Sequence, residues 1–309
     1  MDRQGKLPIY IDVCYVLTNS ADVKETIEGT KRLHREFTTE HLKVHTFKMF
    51  MDGTLKIKTA GLVEPYEGTD ETGPTALTAE EMAELIKELN KEGLDLHVHT
   101  VGGRASRVVL DGVELARKEL GDDYHVKVTC AHLEVQADED LDRFAKLGVI
   151  ANYTPAWHTG YSSEGDLSSL LGAKRAVNMY RCKTVWDSGA LVTWSSDDVV
   201  FEDFSTWNPY LGMEVGMTRW SNEKTNAPEH FKSDAPCPPE NEKMNQEEMI
   251  LGYTINGAKQ LGIEDAKGSI EAGKDADFLV FEQDLLTADP VGFSYFLPEE
   301  VYFGGKKQK

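Results

Sequence analysis

Short apolar segments alternate along this chain with longer amphipathic ones, and that alternation confines it to α/β folds made of strand–helix units. Residues 8–16, 44–50, 94–100, 126–131, 149–152 and 190–195 are rich in aliphatic and aromatic side chains and read as strands. Charged stretches suited to helices lie between them, over 22–40, 104–120, 138–147 and 174–188. The clearest helix follows Thr78. There Thr78 and Glu81 form a capping-box pair, and Met82, Leu85, Ile86 and Leu89 make one apolar stripe that ends at Gly93. Strands separated by helices pair in parallel. Six strand candidates precede a last helix over 246–259, two fewer than a closed (β/α)8 barrel requires.

Acidic residues outnumber basic ones 53 to 33, a formal net charge of −20. Such a balance disfavours nucleic acid and anionic membranes, which need clustered Lys and Arg. Cys14, Cys130, Cys182 and Cys237 are widely spaced, form no C-x-x-C pair, and argue against a disulfide framework or zinc knuckle. No apolar run approaches the ~18 residues of a membrane span, and the polar start after Met1 has no signal core behind it. A cytoplasmic protein acting on a small molecule is expected.

In barrels of strand–helix units the chemistry sits at the C-terminal ends of the strands. Those ends supply Lys48, His99, His132 and Asp197. Each has a plain structural reading: a snorkelling lysine, core histidines, a solvated aspartate. His97 and His99 are two apart and share a strand face, so they also qualify as a paired metal motif of their own. Asp197 and Asp198 are adjacent and point in different directions, so one of them faces a site. His158 follows the fifth strand on a loop, where surface exposure is the competing reading.

The wording around these residues recurs in a known family. Val44-His-Thr-Phe-Lys-Met-Phe-Met-Asp-Gly-Thr-Leu55 resembles a "K-x-x-x-D-G-x-L" segment, and Asp95-Leu-His-Val-His-Thr-Val-Gly-Gly-Arg-Ala105 resembles "H-x-H-x-x-G-D-x-A". Cys130-Ala-His-Leu-Glu134 holds the next strand-end histidine, Asn152-Tyr-Thr-Pro-Ala-Trp-His158 resembles "x-Q-P-x-H", and Ser195-Ser-Asp-Asp198 stands in place of "G-S-D-A". Near the C-terminus, Gly268-Ser-Ile-Glu-Ala-Gly-Lys-Asp-Ala-Asp-Phe-Leu-Val-Phe281 resembles the "G-x-[LI]-x-x-G-x-x-A-D" return strand. In this order the motifs are similar to those of metal-dependent amidohydrolases, in the branch that includes N-substituted formamide deformylases.

That resemblance implies an incomplete (β/α)8 TIM barrel over 1–262 and a C-terminal β segment of a composite β-sandwich over 263–309. It implies hydrolysis of amide or other C–N bonds by water activated on divalent metal, most simply zinc. Lys48, carboxylated to a carbamate, bridges two ions in such a site; His99 and His132 bind one of them. Asp197 is both metal ligand and proton shuttle, and His158 touches substrate. His97 becomes a deeper structural residue, because no suitable lysine follows it before Asp197. Two departures stand out: Gly103 replaces the motif's aspartate, and no H-x-H pair precedes Lys48. The expectation is a C-terminal part of a longer enzyme, weakly active alone, its missing segment supplied elsewhere or its edges covered by self-association. The alternative is an inert homologue with a binding or regulatory role. The return hairpin is read as two strands around 271–275, with Phe278 to Phe281 apolar enough for burial on both faces.

Overall fold

The computed structural model describes residues 2–4, 7, 9–17, 23–159, 167–197 and 207–308. The chain forms two compact units, Met1–Ala151 with Ser188–Leu191 and Asn152–Asp187 with Val192–Lys309. Strands β1 (Ile11–Val16), β2 (Leu42–Phe50), β3 (Asp95–Gly102), β4 (Val128–Val135), β5 (Ile150–Tyr153) and β6 (Val192–Trp194) form one sheet in chain order. The pairs from β1 to β4 are parallel, as the strand–helix alternation requires.

In the first unit, α1 (Val23–Phe37) packs on β1 and β2, while α2 (Ala79–Glu92) and the short α4 (Arg143–Leu147) pack against α3 (Gly103–Leu120). The capping box at Thr78 forms as expected: Thr78 Oγ1 accepts from Glu81 N at 3.2 Å, and Glu81 Oε2 accepts from Thr78 N at 2.8 Å. Gly93 ends α2 in the left-handed conformation, φ 66°. Met82, Leu85, Ile86 and Leu89 are all buried, facing a core with Phe47, Val98, Val109 and Val113. Every residue of β4 is buried, because a central parallel strand is covered on both faces.

The second unit departs more from its sequence signals. The single helix expected over 174–188 is two short ones, α6 (Ala173–Ala176), after α5 (Ser168–Leu171), and α7 (Cys182–Asp187). They are separated where Tyr180 adopts φ 54°. After α8 (Pro209–Thr218), the terminal helix divides into α9 (Gln246–Tyr253) and α10 (Ile255–Leu261) at Thr254, whose φ −118° and ψ −96° are not helical. The return hairpin is corrected more sharply. Only β7 (Phe278–Val280) forms, and it pairs antiparallel with β8 (Glu300–Phe303), which pairs in turn with β9 (Lys306–Lys307). The residues before β7 are held in turns because Lys267 Nζ ties down both Asp275, at 2.9 Å, and Asp277, at 2.5 Å. Burial of β7 on both faces does not occur: Leu279 is 47% exposed and Val280 37%. Among the described residues, no helix is long and apolar enough to cross a membrane.

The capping box gives a direct stability test. Thr78→Ala removes one half of the reciprocal cap and should cost about 1 kcal/mol in urea unfolding, with the m-value unchanged.

Candidate metal centre

The C-terminal halves of three consecutive strands build the site in the first unit. Lys48, the third residue from the end of β2, lies in register with His97, and Phe50 lies in register with His99 on β3. In a parallel pair, partners in register project to the same side, so Lys48, His97 and His99 share one face. Lys48 Nζ is 3.0 Å from His97 Nδ1, and it also stands over the Phe50 ring at 5.2 Å.

His132 reaches this face by a different route. It and the next residue, Leu133, have left-handed backbones, φ 80° and 53°, within an otherwise extended strand. Such geometry is costly away from glycine and persists where packing imposes it. The His132 ring comes to 4.5 Å, centroid to centroid, from that of His99. His99 Nε2 donates to the Gly53 carbonyl at 3.1 Å, which leaves Nδ1 as its lone-pair nitrogen.

Burial keeps these imidazoles neutral. It pushes His97 down to about 3, His99 to about 4 and His132 to about 2; the Lys48 charge adds to the effect on all three and neighbouring rings add to it on His97 and His132, while the bond to Gly53 O opposes it at His99. Neutral imidazoles with available lone pairs are metal donors, and an outer N–H bound to a backbone carbonyl is the usual support of a ligating ring. The donors therefore fit a divalent ion held by His99 and His132 with Lys48 beside them. Among the described residues, no three His, Cys, Asp or Glu side chains gather into a complete cage.

Asp52, which carried no role in the sequence reading, is the site's buried anchor. Its side chain is fully enclosed and lies 3.7 Å from His99 Nε2. One oxygen accepts from Gly61 N at 2.9 Å and Gly102 N at 2.8 Å; the other accepts from Val101 N at 3.0 Å. Burial pushes its carboxyl up to about 6, against the pull of those backbone N–H groups. The carboxylate holds the end of β3 just before α3; the helix itself, whose N-cap Gly102 offers no side chain, is capped by Gly61 O, which accepts from Arg104 N at 2.8 Å and Ala105 N at 3.2 Å. Its signal was its place in the Asp52-Gly53 dipeptide of the quoted motif. Gly103 also acquires a steric reason, since a β-carbon there would stand 3.1 Å from both Val135 O and Ala137 N.

The other two expected site residues belong to the second unit. Asp197 follows β6, is exposed and has φ 44°, a conformation aspartate tolerates. Ser195 Oγ donates to Asn152 Oδ1 at 2.8 Å and Asn152 Nδ2 to Thr193 Oγ1 at 2.9 Å, fixing the strand end from which Asp197 departs. Asp198 lies outside the described residues. His158 ends the helical turn Pro155–Trp157 and is buried, not on the surface. Its ring stacks on Tyr180 at 4.5 Å, and Nδ1 lies 4.0 Å from Cys182 Sγ. Burial and then the nearby Arg219 charge hold its pKa well below the usual imidazole value.

Comparison with known proteins identifies the family. The Amidohydrolase family matches residues 1–307. The chain belongs to that family. It is 26% identical over 287 residues to YtcJ of Bacillus subtilis, an amidohydrolase by name, covering 93% of this chain and 49% of the relative. It is 26% identical over 214 residues to the N-substituted formamide deformylase of Arthrobacter pascens, covering 69% of this chain and 36% of the relative. The chain thus spans half or less of the length of these curated relatives. A metal-dependent hydrolase from Pyrococcus horikoshii, itself uncharacterized, shares the fold with a TM-score of 0.71 at 21% identity, covering 94% of this chain and 53% of that one. The expected α/β architecture, part of a (β/α)8 barrel followed by a short C-terminal β segment, is therefore found, as a six-stranded sheet with a short antiparallel sheet after it.

Two outcomes follow for the metal-free chain. Asp52→Ala strands the N–H groups of Gly61, Val101 and Gly102, each worth about 1–3 kcal/mol when buried unsatisfied, so unfolding in urea should show a loss of at least about 3 kcal/mol. The second concerns pH. Imidazoles depressed in the folded state stabilise it above their unfolded value of 6.5, and that stability is lost as pH falls toward their folded values. Asp12 and Asp52, both raised to about 6, act in the opposite sense between about 4 and 6. His97, His99, His132 and His158 outnumber them, so stability should fall on acidification from pH 7 to pH 5, by roughly 2–3 kcal/mol per pH unit near pH 5. Chemical denaturation across that range measures it; constant or rising stability contradicts the burial of neutral rings.

Proposed function

We propose that this chain serves metal-dependent hydrolysis of an amide or another C–N bond in a small-molecule substrate. The reading rests on one observation: Lys48, His99 and His132, from three successive strand ends, share a face with His99 Nε2 already committed to Gly53 O. Imidazole donors favour zinc among the common divalent ions. Such an ion would supply Lewis-acid polarisation of a carbonyl and a water acidified toward neutral pH. His99 and His132 would hold the ion. Lys48 stands beside them as an amine, or as an anionic carbamate after it adds CO2 and releases a proton. Asp197 takes the role that the family resemblance gives it, accepting the proton of the attacking water and delivering it to the leaving amine. His158 is assigned to substrate.

The N-substituted formamide deformylase of Arthrobacter pascens and the imidazolonepropionase of Alkaliphilus metalliredigens, the latter 26% identical over 240 residues, frame the substrate class as small formamides or cyclic amides. With no H-x-H before Lys48, the donors named here serve one ion better than two, and turnover by this chain alone is expected to be slow.

Zinc stoichiometry decides the reading. The full chain, loaded with zinc and dialysed, should retain about one ion, and His99→Ala and His132→Ala should each weaken retention by at least about tenfold. His125→Ala, outside the site, should leave it unchanged. Equal retention by the double His99→Ala, His132→Ala variant would sink the assignment. Zinc bound normally with no hydrolysis of N-formyl amines or cyclic amides would favour the inert, regulatory homologue.

A further inference from the structure

Phe47 and Met49 of β2 and Leu96 and Val98 of β3 are all buried, and they fix how the two strands pair. A slip of one residue would turn that apolar set to the other face of the sheet, so the register is held. On the opposite face the same register produces a polar pair. Lys48 is the in-register partner of His97, and its Nζ lies 3.0 Å from Nδ1 of the ring. β3 runs between β2 and β4, where Thr129 stands in register with His97. The ring therefore hangs from backbone held on both sides, whereas the lysine head ends a flexible four-carbon stem. Of the two, His97 is the fixed member.

The direction of the bond follows from the groups. A lysine head has N–H to give, so the ring nitrogen facing it is the lone-pair nitrogen, and the ring hydrogen sits on Nε2. With Nδ1 engaged in this way, His97 does not join His99 as a paired metal motif, the other reading that their spacing allows. The need of an enclosed lysine for an acceptor explains why the contact exists. It also gives the contact a consequence, because Lys48 shares this face with His99, and a head free to swing would have no defined place there.

The hold does not depend on the form of the lysine. An ammonium has three N–H groups. When CO2 adds to it, the N–C bond forms, two protons leave to solvent, and the carbamate nitrogen keeps one N–H. Either form can donate to Nδ1.

We propose that His97 is a positioning residue for Lys48: its Nδ1 takes one N–H of the lysine and so sets where the head stands beside His99 and His132. This role rests on the reading of those three residues as a metal site, and two measurements separate its failure from the failure of that reading. The first needs no metal. In the chain stripped of metal by a chelator, the ring-nitrogen NMR resonances should show His97 as the Nε2–H tautomer. Lys48→Met should shift Nδ1 of His97 and leave the His125 ring in place. The second is zinc retention. His97→Phe should weaken it by at least about tenfold, and His97→Asn, whose Oδ1 stands about where Nδ1 does, should restore it. In the Lys48→Met background His97→Phe should add no further loss, since its effect passes through the lysine. An Nδ1–H tautomer in the unaltered chain, or an equal loss from His97→Phe with and without Lys48, would overturn the proposal. The tautomer and its shift need no change on β3, so they decide the matter even where His97→Phe does not fold. A chain that retains no zinc but keeps the Lys48-dependent tautomer refutes the metal reading and still upholds the contact.

Discussion

Everything in the first unit's site depends on one buried carboxylate. Asp52 accepts three backbone N–H groups from two separate segments, the loop at Gly61 and the turn at Val101 and Gly102. A carboxylate enclosed without such donors would be far too costly to keep. With them, it pins the end of β2 to the end of β3 and to the start of α3. The carbonyl that receives His99 Nε2 is that of the adjacent Gly53. Asp52 therefore orients a candidate ligand through its neighbour, and the loop that it ties down packs so closely on the start of α3 that a β-carbon on Gly102 would sit 2.3 Å from Gly61 O. Glycine at that position is a requirement of the crossing.

The left-handed backbone at His132 is a second constraint of the same kind. Regular strand alternation would send successive side chains of β4 to opposite faces. Two consecutive positive φ angles break the alternation where the ring must meet His99. Local distortion, not strand register alone, brings the two rings together.

The strand–helix order and the cap at Thr78 were legible in the sequence because they rest on short-range periodicity and side-chain hydrogen bonds. Lys48, His99 and His132 were legible as strand-end residues within recurring motifs. Asp52 was marked only by its place in one of those motifs; its role, accepting backbone donors 9 to 50 residues away, is one that no local pattern announces. The breaks at Tyr180 and Thr254 escaped for a related reason: both residues sit within helix-favouring stretches, and neither is a Gly or Pro. The apolar run at β7 misled in the other direction. Hydrophobicity alone describes what a strand would prefer to meet, not whether anything covers it.

That uncovered strand has a consequence for how the chain behaves in bulk. β7 is at an end of the β7-β8-β9 order, with Leu279 and Val280 exposed. Such an edge is a template for intermolecular pairing. Its apolar residues are bracketed by Asp275 and Asp277 on one side and Glu282 and Asp284 on the other. Acidic gatekeepers of this sort repel an incoming copy of the same segment, and the net charge of −20 reinforces them at longer range. Repulsion of that origin is screened within about 10 Å at 0.1 M salt. The colloidal stability of the chain is thus electrostatic, weakest in concentrated salt and near its isoelectric point of about 4.9, where the guard on β7 is lowered.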